Sequence, residues 1–252
     1  DIIVGGDLNS HYNQKMVFEG VMPKTAVNDV LLSQGDERIM TSPTRKLYNL
    51  WHELPPEQRG SDVWKGEWGT LMHLLVSHGL YDDQGIQYVT DSFRVAAFKG
   101  FNVLPGTGIP NRWFNDFGGR GTSDHLPVLA TFATAIKGES AKIGKNEPEA
   151  PAALPRVDYS DAISKAKPFD EKAISPENLW EIFRFSGKVA LNKPLTLEAN
   201  GQRIRLWSFD PKAQVILFAA KPEDHLSGYG YLSRYRGEWQ LVVEKRDWLL
   251  SE

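Results

Sequence analysis

An apolar run that ends in two polar side chains opens the chain. Ile2, Ile3 and Val4 predict a buried strand, because an unbroken run of β-branched residues is typical of strands covered on both faces. Asp7 and Asn9 come shortly after this run, and alternation along an extended segment would place both side chains on one surface. The alternative is an Asx-type turn, in which the two side chains bond only to nearby backbone groups.

The apolar spacing predicts two helices and three more strands before residue 132. Val27, Val30 and Leu31 have the spacing of a short helix that ends at Gly35, and residues 42–54 carry a second apolar stripe behind a Ser-Pro start. Residues 64–68 are predicted to be loop-like. The predicted strands are residues 71–77, residues 86–98 with imperfect alternation, and residues 126–132.

A long polar loop is predicted at residues 100–122, where glycine and asparagine are frequent. Loops of this composition often border functional sites. Arg112 and Arg120 are candidates for binding substrate phosphates, with solvated surface arginines as the alternative. Trp113 and Phe114 would either stack against a base or anchor the loop to the core.

The second half of the chain differs in composition from the first. Residues 135–158 are rich in Lys, Glu, Ala and Pro and poor in aromatic residues, which predicts a linker. Ser175 is predicted to cap a short helix that begins at Pro176. Short alternating strands are predicted at residues 188–191, 195–199, 203–209, 214–219, 229–235 and 238–243.

These elements predict three parts of the chain. Residues 1–135 form an α/β unit, residues 136–165 a linker, and residues 166–252 a small mostly-β accessory domain with one helix. Aromatic and arginine residues interleave in the accessory domain, as on β surfaces that bind nucleic acid, although packing of one face against a helix gives the same pattern. They are Arg203, Arg205, Trp207, Phe209, Tyr229, Tyr231, Arg234, Tyr235, Arg236 and Trp239.

Composition places the chain among globular proteins. Of its 252 residues, 41% are hydrophobic, and no apolar run approaches the roughly 20 residues of a membrane span. The lack of cysteine excludes disulfides, thiolate metal sites and a Cys nucleophile, and it leaves the compartment open. The sequence contains no visible signal peptide and begins inside a predicted strand without an initiator Met, so we expect an upstream segment to complete the sheet.

The charge balance argues against a broad electrostatic surface for nucleic acid. The formal net charge is −3, with 11 basic against 15 acidic residues up to residue 135 and 18 against 17 after it. Neither half is strongly basic, so contact with nucleic acid would depend on a local patch.

Two polar clusters about 115 residues apart carry the candidate chemistry. The GDLN cluster at residues 6–9 and the SDH cluster at residues 123–125 lie at strand ends and would meet if their strands share a sheet. Together they collect two carboxylates, one carboxamide and one imidazole. This set suits metal-assisted hydrolysis of a phosphate ester, and its oxygen ligands favour a hard cation over zinc.

The order and placement of GGDLN, LLVS and SDHLPV resemble the second half of the endonuclease/exonuclease/phosphatase superfamily of Mg²⁺-dependent phosphoesterases, over roughly residues 1–132. The resemblance implies an α/β (α+β) fold, namely the C-terminal half of a four-layer α/β sandwich with largely antiparallel sheets. It also implies Mg²⁺ as cofactor, with Mn²⁺ as its substitute. A missing N-terminal half, from the same polypeptide or a separate fragment, would supply the principal metal ligand.

The resemblance further implies roles for individual residues. Asp7 is similar to the residue that orients or deprotonates the attacking water and to a metal ligand, and Asn9 to the one that contacts the scissile phosphate. Asp124 resembles a metal-site carboxylate that supports the histidine, and His125 resembles the histidine that binds the phosphoryl oxygen. His11, two residues beyond Asn9, is a further candidate for the substrate cleft.

One position departs from the family pattern. Family members place an Asp before the strand at residues 71–77, where it orients the catalytic histidine, but this chain has Met72 and His73 there. Candidate substitutes, which are otherwise surface carboxylates, are Asp82, Asp83, Asp91 and Asp116. His73 is expected to be a core or interface residue in preference to a catalytic one. No role is predicted for His52, His78 and His225.

The expected function is metal-dependent hydrolysis of phosphodiester bonds, with nucleic acid as the leading substrate. A phosphatase or lipid phosphodiesterase of the same superfamily is the first alternative, because the motifs handle the phosphate and not the rest of the substrate. The missing first half and Met72 motivate a second alternative, a catalytically impaired binding module.

Overall fold

The computed structural model describes residues 1–21, 24, 26–115, 119–134 and 151–250. It shows a mixed α/β protein with few helices and many strands, which confirms the broad fold class. The chain divides into two compact units. The first unit comprises Asp1–Val103 and Gly108–Val157, and the second comprises Leu104–Thr107 and Asp158–Glu252. Residues 135–150, which include much of the predicted linker, lie outside the described residues, as does Asp116.

A four-stranded sheet forms the frame of the first unit. Its strands are β1 (Ile3–Asp7), β2 (Ser33–Gln34), β3 (Leu47–Asn49) and β6 (Met72–Val76). Between β3 and β6 the chain forms a separate hairpin of β4 (Asp62–Trp64) and β5 (Glu67–Gly69). The order across the sheet is β1–β6–β3–β2, with β6 antiparallel to both of its neighbours and β2 parallel to β3. The pairing of β6 with β1 places Asp7 opposite Met72.

Short elements complete the first unit. Helices α1 (Gln14–Val17) and α2 (Val27–Val30) are each one turn long. The 3-10 turns are Glu37–Thr41, Leu50–Glu53, Pro56–Gln58 and His78–Leu80. Strand β7 (Ile86–Tyr88) pairs with β10 (Phe132–Thr134). Strand β8 (Arg94–Val95) pairs with β9 (Val128–Leu129). No helix in the described part of the chain is long and apolar enough to cross a membrane.

Strand β1 lies at the edge of the four-stranded sheet, so the prediction of a buried strand was wrong. Within the described residues, β1 pairs with β6 on one side only. Ile2 and Ile3 are consequently 56% and 45% exposed. The β-branched run identified a strand correctly, but burial depends on which elements cover the strand, and a local pattern does not encode that.

Residues 42–54 do not form the predicted helix. Strand β3 and the turn Leu50–Glu53 occupy this segment, and Tyr48 pairs with Val76 of β6. Asn49 caps the turn, because its side-chain oxygen accepts from the backbone N–H of Trp51 at 3.2 Å. Tyr48, Leu50 and Trp51 are fully buried, and Leu47 and Leu54 are partly buried, but cross-strand pairing outweighs the weak preference of these residues for a helix.

Other predicted elements of the first unit differ in length. Helix α2 ends at Val30, and Leu32 then adopts a left-handed φ of 52°, well before Gly35. The strand predicted at residues 86–98 is split into β7 and β8, and that at 126–132 into β9 and β10. Strand 71–77 is confirmed as β6. Residues 64–68, predicted as a loop, belong to the β4–β5 hairpin, whose two turn residues both have positive φ, as tight hairpin turns require.

A closed five-stranded barrel forms the second unit. Helix α3 (Ser160–Ser164) and β11 (Lys167–Pro168) precede it. The barrel strands are β12 (Ile182–Asn192), β13 (Leu195–Ala199), β14 (Gln202–Ser208), β15 (His225–Tyr235) and β16 (Glu238–Val243). Their order is β12–β13–β14–β16–β15, and pairing of β15 with β12 closes the barrel. Helix α4 (Pro211–Ala219) connects β14 to β15, and β14 runs parallel to β16, which together give the topology of the OB-fold.

The barrel corrects two predictions from the sequence. Residues 214–219 belong to α4 and not to a strand, because Asp210 caps the helix by accepting from the backbone N–H of Lys212 at 3.0 Å and Pro211 occupies the first turn. Ser175 does cap a turn, but Pro176–Asn178 is a single 3-10 turn. The strands predicted at 195–199 and 238–243 are confirmed as β13 and β16.

A buried carboxyl group lies in the core of the first unit. The hydroxyl of Tyr88 donates to Oε2 of Glu53, and both residues are buried. Burial raises the pKa of Glu53 from 4.5 to about 7, and the negative charge of the fully buried Glu37 acts in the same direction. Burial likewise raises the pKa of Tyr81, with a further contribution from Glu37. The core therefore holds Glu53 most favourably in its protonated form.

We expect Glu53→Gln to raise the free energy of unfolding above pH 7 and to leave it nearly unchanged at pH 4.5. The raised pKa means that the favourable protonated state is fully present below pH 4.5 and is lost as the pH rises through about 7. Glutamine keeps an acceptor for Tyr88 but does not ionise. The expected gain at pH 8 is on the order of 2–3 kcal/mol, measured by urea unfolding at both pH values.

The exposed Glu57→Gln is the matched control and is expected to change the unfolding free energy by less than about 0.5 kcal/mol at either pH. An equal effect of Glu53→Gln at pH 4.5 and pH 8 would contradict the assignment of a buried, ionising Glu53.

Candidate active site

A buried histidine fixes the loop that follows β1. His73 of β6 is fully buried, and its Nε2 is 2.7 Å from the carbonyl oxygen of Ser10. Its Nδ1 is 3.2 Å from Nδ2 of Asn49, which also donates to Oγ of Ser33 at 3.0 Å. Because the side-chain NH₂ of Asn49 is a donor, Nδ1 of His73 accepts a hydrogen bond from it. The ring proton is therefore on Nε2, which donates to the carbonyl oxygen of Ser10. Burial lowers the pKa of His73 to about 4, so the ring is neutral at pH 7.

The opening polar cluster forms a tight turn at the end of β1. Oδ1 of Asp7 accepts from the backbone N–H of Asn9 at 2.9 Å, and Asn9 has a left-handed φ of 49°. This is the Asx-type turn that the sequence offered as the alternative to continued extension. The turn occupies one carboxylate oxygen of Asp7, while Oδ2 points to the second cluster. Asn9 itself is exposed.

The second cluster is attached to the β4–β5 hairpin and not to the sheet of β1. His125 forms an antiparallel bridge with Asp62, and the backbone N–H of Leu126 donates to the carbonyl of Ser61 at 2.6 Å. The backbone N–H of His125 also donates to Oγ of Ser123 at 3.1 Å. The expectation that both clusters end strands of one sheet was therefore wrong, although the clusters do meet.

The two clusters come together at the imidazole of His125. Its Nδ1 lies 3.9 Å from Oδ2 of Asp7 and 3.7 Å from Oδ1 of Asp124. These separations are longer than hydrogen bonds and lie within the 4 Å range of a solvent-screened ion pair. The Asp124 side chain is 68% exposed and that of Asp7 is 35% exposed, so solvent reaches both carboxylates.

Asp62 is a site residue that the sequence did not identify. It is buried beside His125, and its Oδ1 accepts from the backbone N–H of Leu71 and from Oγ of Ser61, both at 3.2 Å. A Cβ atom at Gly69 would collide with this carboxylate, so the glycine allows Asp62 its position. The available signal was the two-residue turn Lys65-Gly66, which marks a hairpin and so places Asp62 at its base.

The link between β5 and β6 holds three parts of the site in place. The carbonyl of Leu71 accepts from the backbone N–H of Leu8 at 2.9 Å, next to the Asp7 turn. The backbone N–H of Thr70 donates to Nδ1 of His11 at 3.1 Å, and Thr70 Oγ1 accepts from the backbone N–H of Tyr12 at 3.0 Å. Together with the bond from Leu71 to Asp62, these contacts connect the loop after β1 to the hairpin that carries His125.

His11, the further candidate for the substrate cleft, is held at the link between β5 and β6. Its Nδ1 accepts from Thr70, which assigns the ring proton to Nε2, and its ring is stacked on Phe18 at 6.0 Å between centroids. Burial lowers the pKa of His11, and the charges of Asp62 and Glu67 partly oppose this shift. A neutral His11 therefore offers one N–H donor beside the carboxylates.

The loop at residues 100–122 places its two arginines differently. Arg112 donates through Nη2 to the carbonyl of Val63 in β4, so the hairpin holds this guanidinium. Arg120 is exposed, and its backbone pairs with that of Phe114. Trp113 is also exposed and lies against Gly119, so it does not anchor the loop in the core.

The carboxylates proposed to orient His125 lie elsewhere or outside the described residues. Asp82 accepts from the backbone N–H of Gln84 within its own turn, and Asp83 is exposed. Asp91 is close enough to Glu53 to influence its pKa. Asp62 pairs with His125 through the backbone, and its carboxylate is bonded to Ser61 and Leu71.

A magnesium ion at this place would have to be largely hydrated. Within residues 1–21, 24, 26–115, 119–134 and 151–250, no three His, Asp or Glu side chains form a closed metal cage. Mg²⁺ usually retains several water molecules and uses only one or two protein carboxylates together with substrate phosphates. Asp7 and Asp124, which are solvent-accessible and both approach Nδ1 of His125, are the candidates for such a pair.

We expect His73→Gln to lower the free energy of unfolding at pH 7 by about 1–3 kcal/mol, because the buried hydrogen bonds to Ser10 and Asn49 are perturbed. In the parent chain the lowered pKa of His73 gives stability that is full above pH 6.5 and is lost as the pH falls towards 4. The variant should lack this acid-induced loss. Urea unfolding between pH 4 and pH 7 measures both effects.

The exposed His225→Gln serves as the control and should leave the pH dependence of the parent chain unchanged. If the His73 variant loses stability between pH 6.5 and pH 4 as steeply as the control does, His73 is not the buried neutral histidine described here.

Comparisons with known proteins do not assign the chain to a family. No protein-family model matches it, and searches of curated protein sequences and of solved structures returned no significant match. A functional assignment therefore depends on the residues and distances described above.

Proposed function

We propose that the first unit hydrolyses phosphate esters with the help of Mg²⁺, and that phosphodiester bonds of nucleic acid are its leading substrate. The observation that carries the proposal is the approach of two carboxylates to Nδ1 of His125, Asp7 at 3.9 Å and Asp124 at 3.7 Å. Two carboxylates and an imidazole from distant parts of the chain converge at a solvent-accessible place. Such a convergence suits acid–base work on a phosphate.

Each residue has a distinct task in this proposal. Asp7 orients the attacking water or takes its proton through Oδ2, because Oδ1 is already bonded to the backbone of Asn9. His125, attracted in its protonated form by both carboxylates, donates a hydrogen bond to the phosphoryl oxygen as negative charge develops there. Asn9 contacts the scissile phosphate through its exposed side chain. Asp62 holds the backbone of His125 in place.

The metal would be bound by Asp7 and Asp124. When bound, Mg²⁺ neutralises charge on the phosphate and favours attack by water. The N–H of His11 and the exposed Arg120 lie on segments that border the site and are assigned to substrate binding. Arg112 is assigned to supporting the hairpin, in line with its bond to the Val63 carbonyl, and would reach a phosphate only by releasing it.

The finer fold assignment belongs to the same proposal. In it, the first unit is the C-terminal half of a four-layer α/β sandwich, and an N-terminal half, covalent or separate, adds to its sheet. Ile2 and Ile3, exposed at the start of β1, support this, because within the described residues the outer edge of β1 has no partner strand and a further strand would add there.

The test is hydrolysis of a substrate panel in the presence of Mg²⁺. The panel comprises DNA, RNA, bis(p-nitrophenyl) phosphate, inositol phosphates and sphingomyelin. Asp7→Asn and His125→Ala are each expected to lower the rate by roughly 10²–10⁴-fold, the usual contribution of a positioned acid or base. Chelation with EDTA should abolish turnover, and Mg²⁺ or Mn²⁺ should restore it.

Asp83→Asn, a change of an exposed carboxylate in a turn, is the matched control and should retain the parent rate. Rates that are equal in Asp7→Asn, His125→Ala and the control would rule out the roles given to Asp7 and His125. Turnover of inositol phosphates or sphingomyelin without turnover of any polynucleotide would replace the nuclease by the phosphatase or lipid phosphodiesterase alternative.

A catalytically impaired binding module is the second candidate function. Met72 supports it, because the residue opposite Asp7 in β6 carries no charge to orient His125. In that case, Mg²⁺-dependent hydrolysis is absent while the site still binds phosphate, and His125→Ala weakens the binding.

A further inference from the structure

One outer face of the barrel combines arginine and aromatic side chains. Along β14, Ile204 and Leu206 point into the barrel, so Arg203, Arg205 and Trp207 point outwards. Phe209 continues the outward series after the strand ends. Because alternate residues of a strand are about 7 Å apart, these four side chains form a row about 20 Å long. We call Arg203, Arg205, Trp207 and Phe209, together with Phe218 of α4, the β14 surface.

The aromatic part of the β14 surface is exposed and contiguous. Trp207 is 38% exposed, and its ring lies 6.3 Å from that of Phe209 and 5.9 Å from that of Phe218. Phe209 and Phe218 are about half exposed. Val215, on the same helix as Phe218, is also exposed. Three neighbouring aromatic rings open to solvent are unusual for a surface without a ligand.

The arginines of the β14 surface differ in their surroundings. Arg203 forms an ion pair with Glu198 at 3.3 Å, across the β13–β14 ladder. The cross-strand neighbours of Arg205 are Thr196 on β13 and Gln240 on β16, both neutral. The charge of Arg205 is therefore not balanced by its ladder partners, and it lies directly next to the aromatic cluster.

We propose that the β14 surface binds single-stranded nucleic acid, with bases stacked on Trp207 and Phe218 and phosphates held by Arg205 and Arg203. Single strands present a flat apolar base and an anionic phosphate at every nucleotide, and proteins bind them with aromatic platforms next to cations. A purely apolar partner would bury Arg205 without a counter-charge, which is costly. A purely anionic partner would leave the three rings exposed.

The barrel topology is compatible with single-stranded nucleic acid as the ligand but does not identify the ligand by itself. OB-fold barrels bind oligonucleotides and oligosaccharides, so the fold alone leaves the ligand open. The choice follows from the side chains, because the unbalanced charge of Arg205 favours a phosphate-bearing ligand over a neutral sugar. The inference concerns the second unit and does not depend on hydrolysis by the first.

The test measures binding of the full chain to a fluorescein-labelled 15-nucleotide oligothymidylate by fluorescence anisotropy. A probe of this length matches the roughly 4–16 nucleotides that one such barrel covers. EDTA is present throughout, so the outcome is independent of metal-dependent turnover. Titrations at about 50 and about 200 mM salt give the salt dependence of binding.

Arg205→Ala and Trp207→Ala are each expected to weaken binding by roughly tenfold at the lower salt concentration, and Arg205→Ala should also reduce the slope of log K against log salt by about 0.7. Phe218→Ser, on the exposed side of α4, is a second aromatic variant that does not alter the barrel strands. The matched control is Arg184→Ala, an exposed arginine on the outer face of β12, which should bind within about twofold of the parent chain.

The far-ultraviolet circular dichroism spectrum and thermal midpoint of each variant verify that it is folded. Absence of binding at the lower salt concentration, or equal affinity in all folded variants, overturns the inference. Sedimentation velocity tests whether a second copy of the chain, and not nucleic acid, covers the β14 surface. If Phe218→Ser dissociates a dimer and leaves the oligonucleotide affinity unchanged, the inference is also overturned.

Discussion

The first unit depends on one buried polar connection, in which a neutral histidine joins the central strand β6 to the loop that follows β1 and to β3. His73 reaches Ser10 on one side and Asn49 on the other, and each bond leaves a costly unpaired group if it breaks. Ser10 in turn accepts from the backbone N–H of Val27. The turn that carries Asp7 is thus fixed to the core by buried hydrogen bonds, while its exposed side remains accessible to a substrate.

Two buried ionisable groups give the first unit opposite responses to pH. The stability contributed by neutral His73 begins to fall below pH 6.5, where the ring of the unfolded chain takes up a proton, and that contributed by protonated Glu53 begins to fall above pH 4.5, where the carboxyl group of the unfolded chain ionises. Between pH 4.5 and pH 6.5 the two contributions oppose each other, because a falling pH reduces the stability contributed by His73 while it restores the stability contributed by Glu53. The net stability of the unit should therefore vary less with pH than either residue alone would dictate.

The sequence predicted which segments are strands and which side chains carry the candidate chemistry, but it did not predict which strands pair with each other. Residues 71–77 and 238–243 have the apolar composition of strands and form β6 and β16. Residues 42–54 have helical spacing, yet Tyr48 pairs with Val76, a contact that no local window contains. The chemistry of the two polar clusters predicted that Asp7 and His125 lie close together. The sequence did not predict that the backbone of Asp62 pairs with His125, because the only local signal of the β4–β5 hairpin is the short turn Lys65-Gly66. The roles of these residues stay predictions.

The bridge between Asp62 and His125 closes a loop of more than sixty residues, most of them outside regular structure. The entropic cost of closing a loop grows only with the logarithm of its length, by about 0.6 kcal/mol for each doubling. Insertions or deletions around residues 100–122 would thus hardly affect assembly of the bridge. The length of this segment can therefore change with little effect on the positions of Asp7, Asp62 and His125.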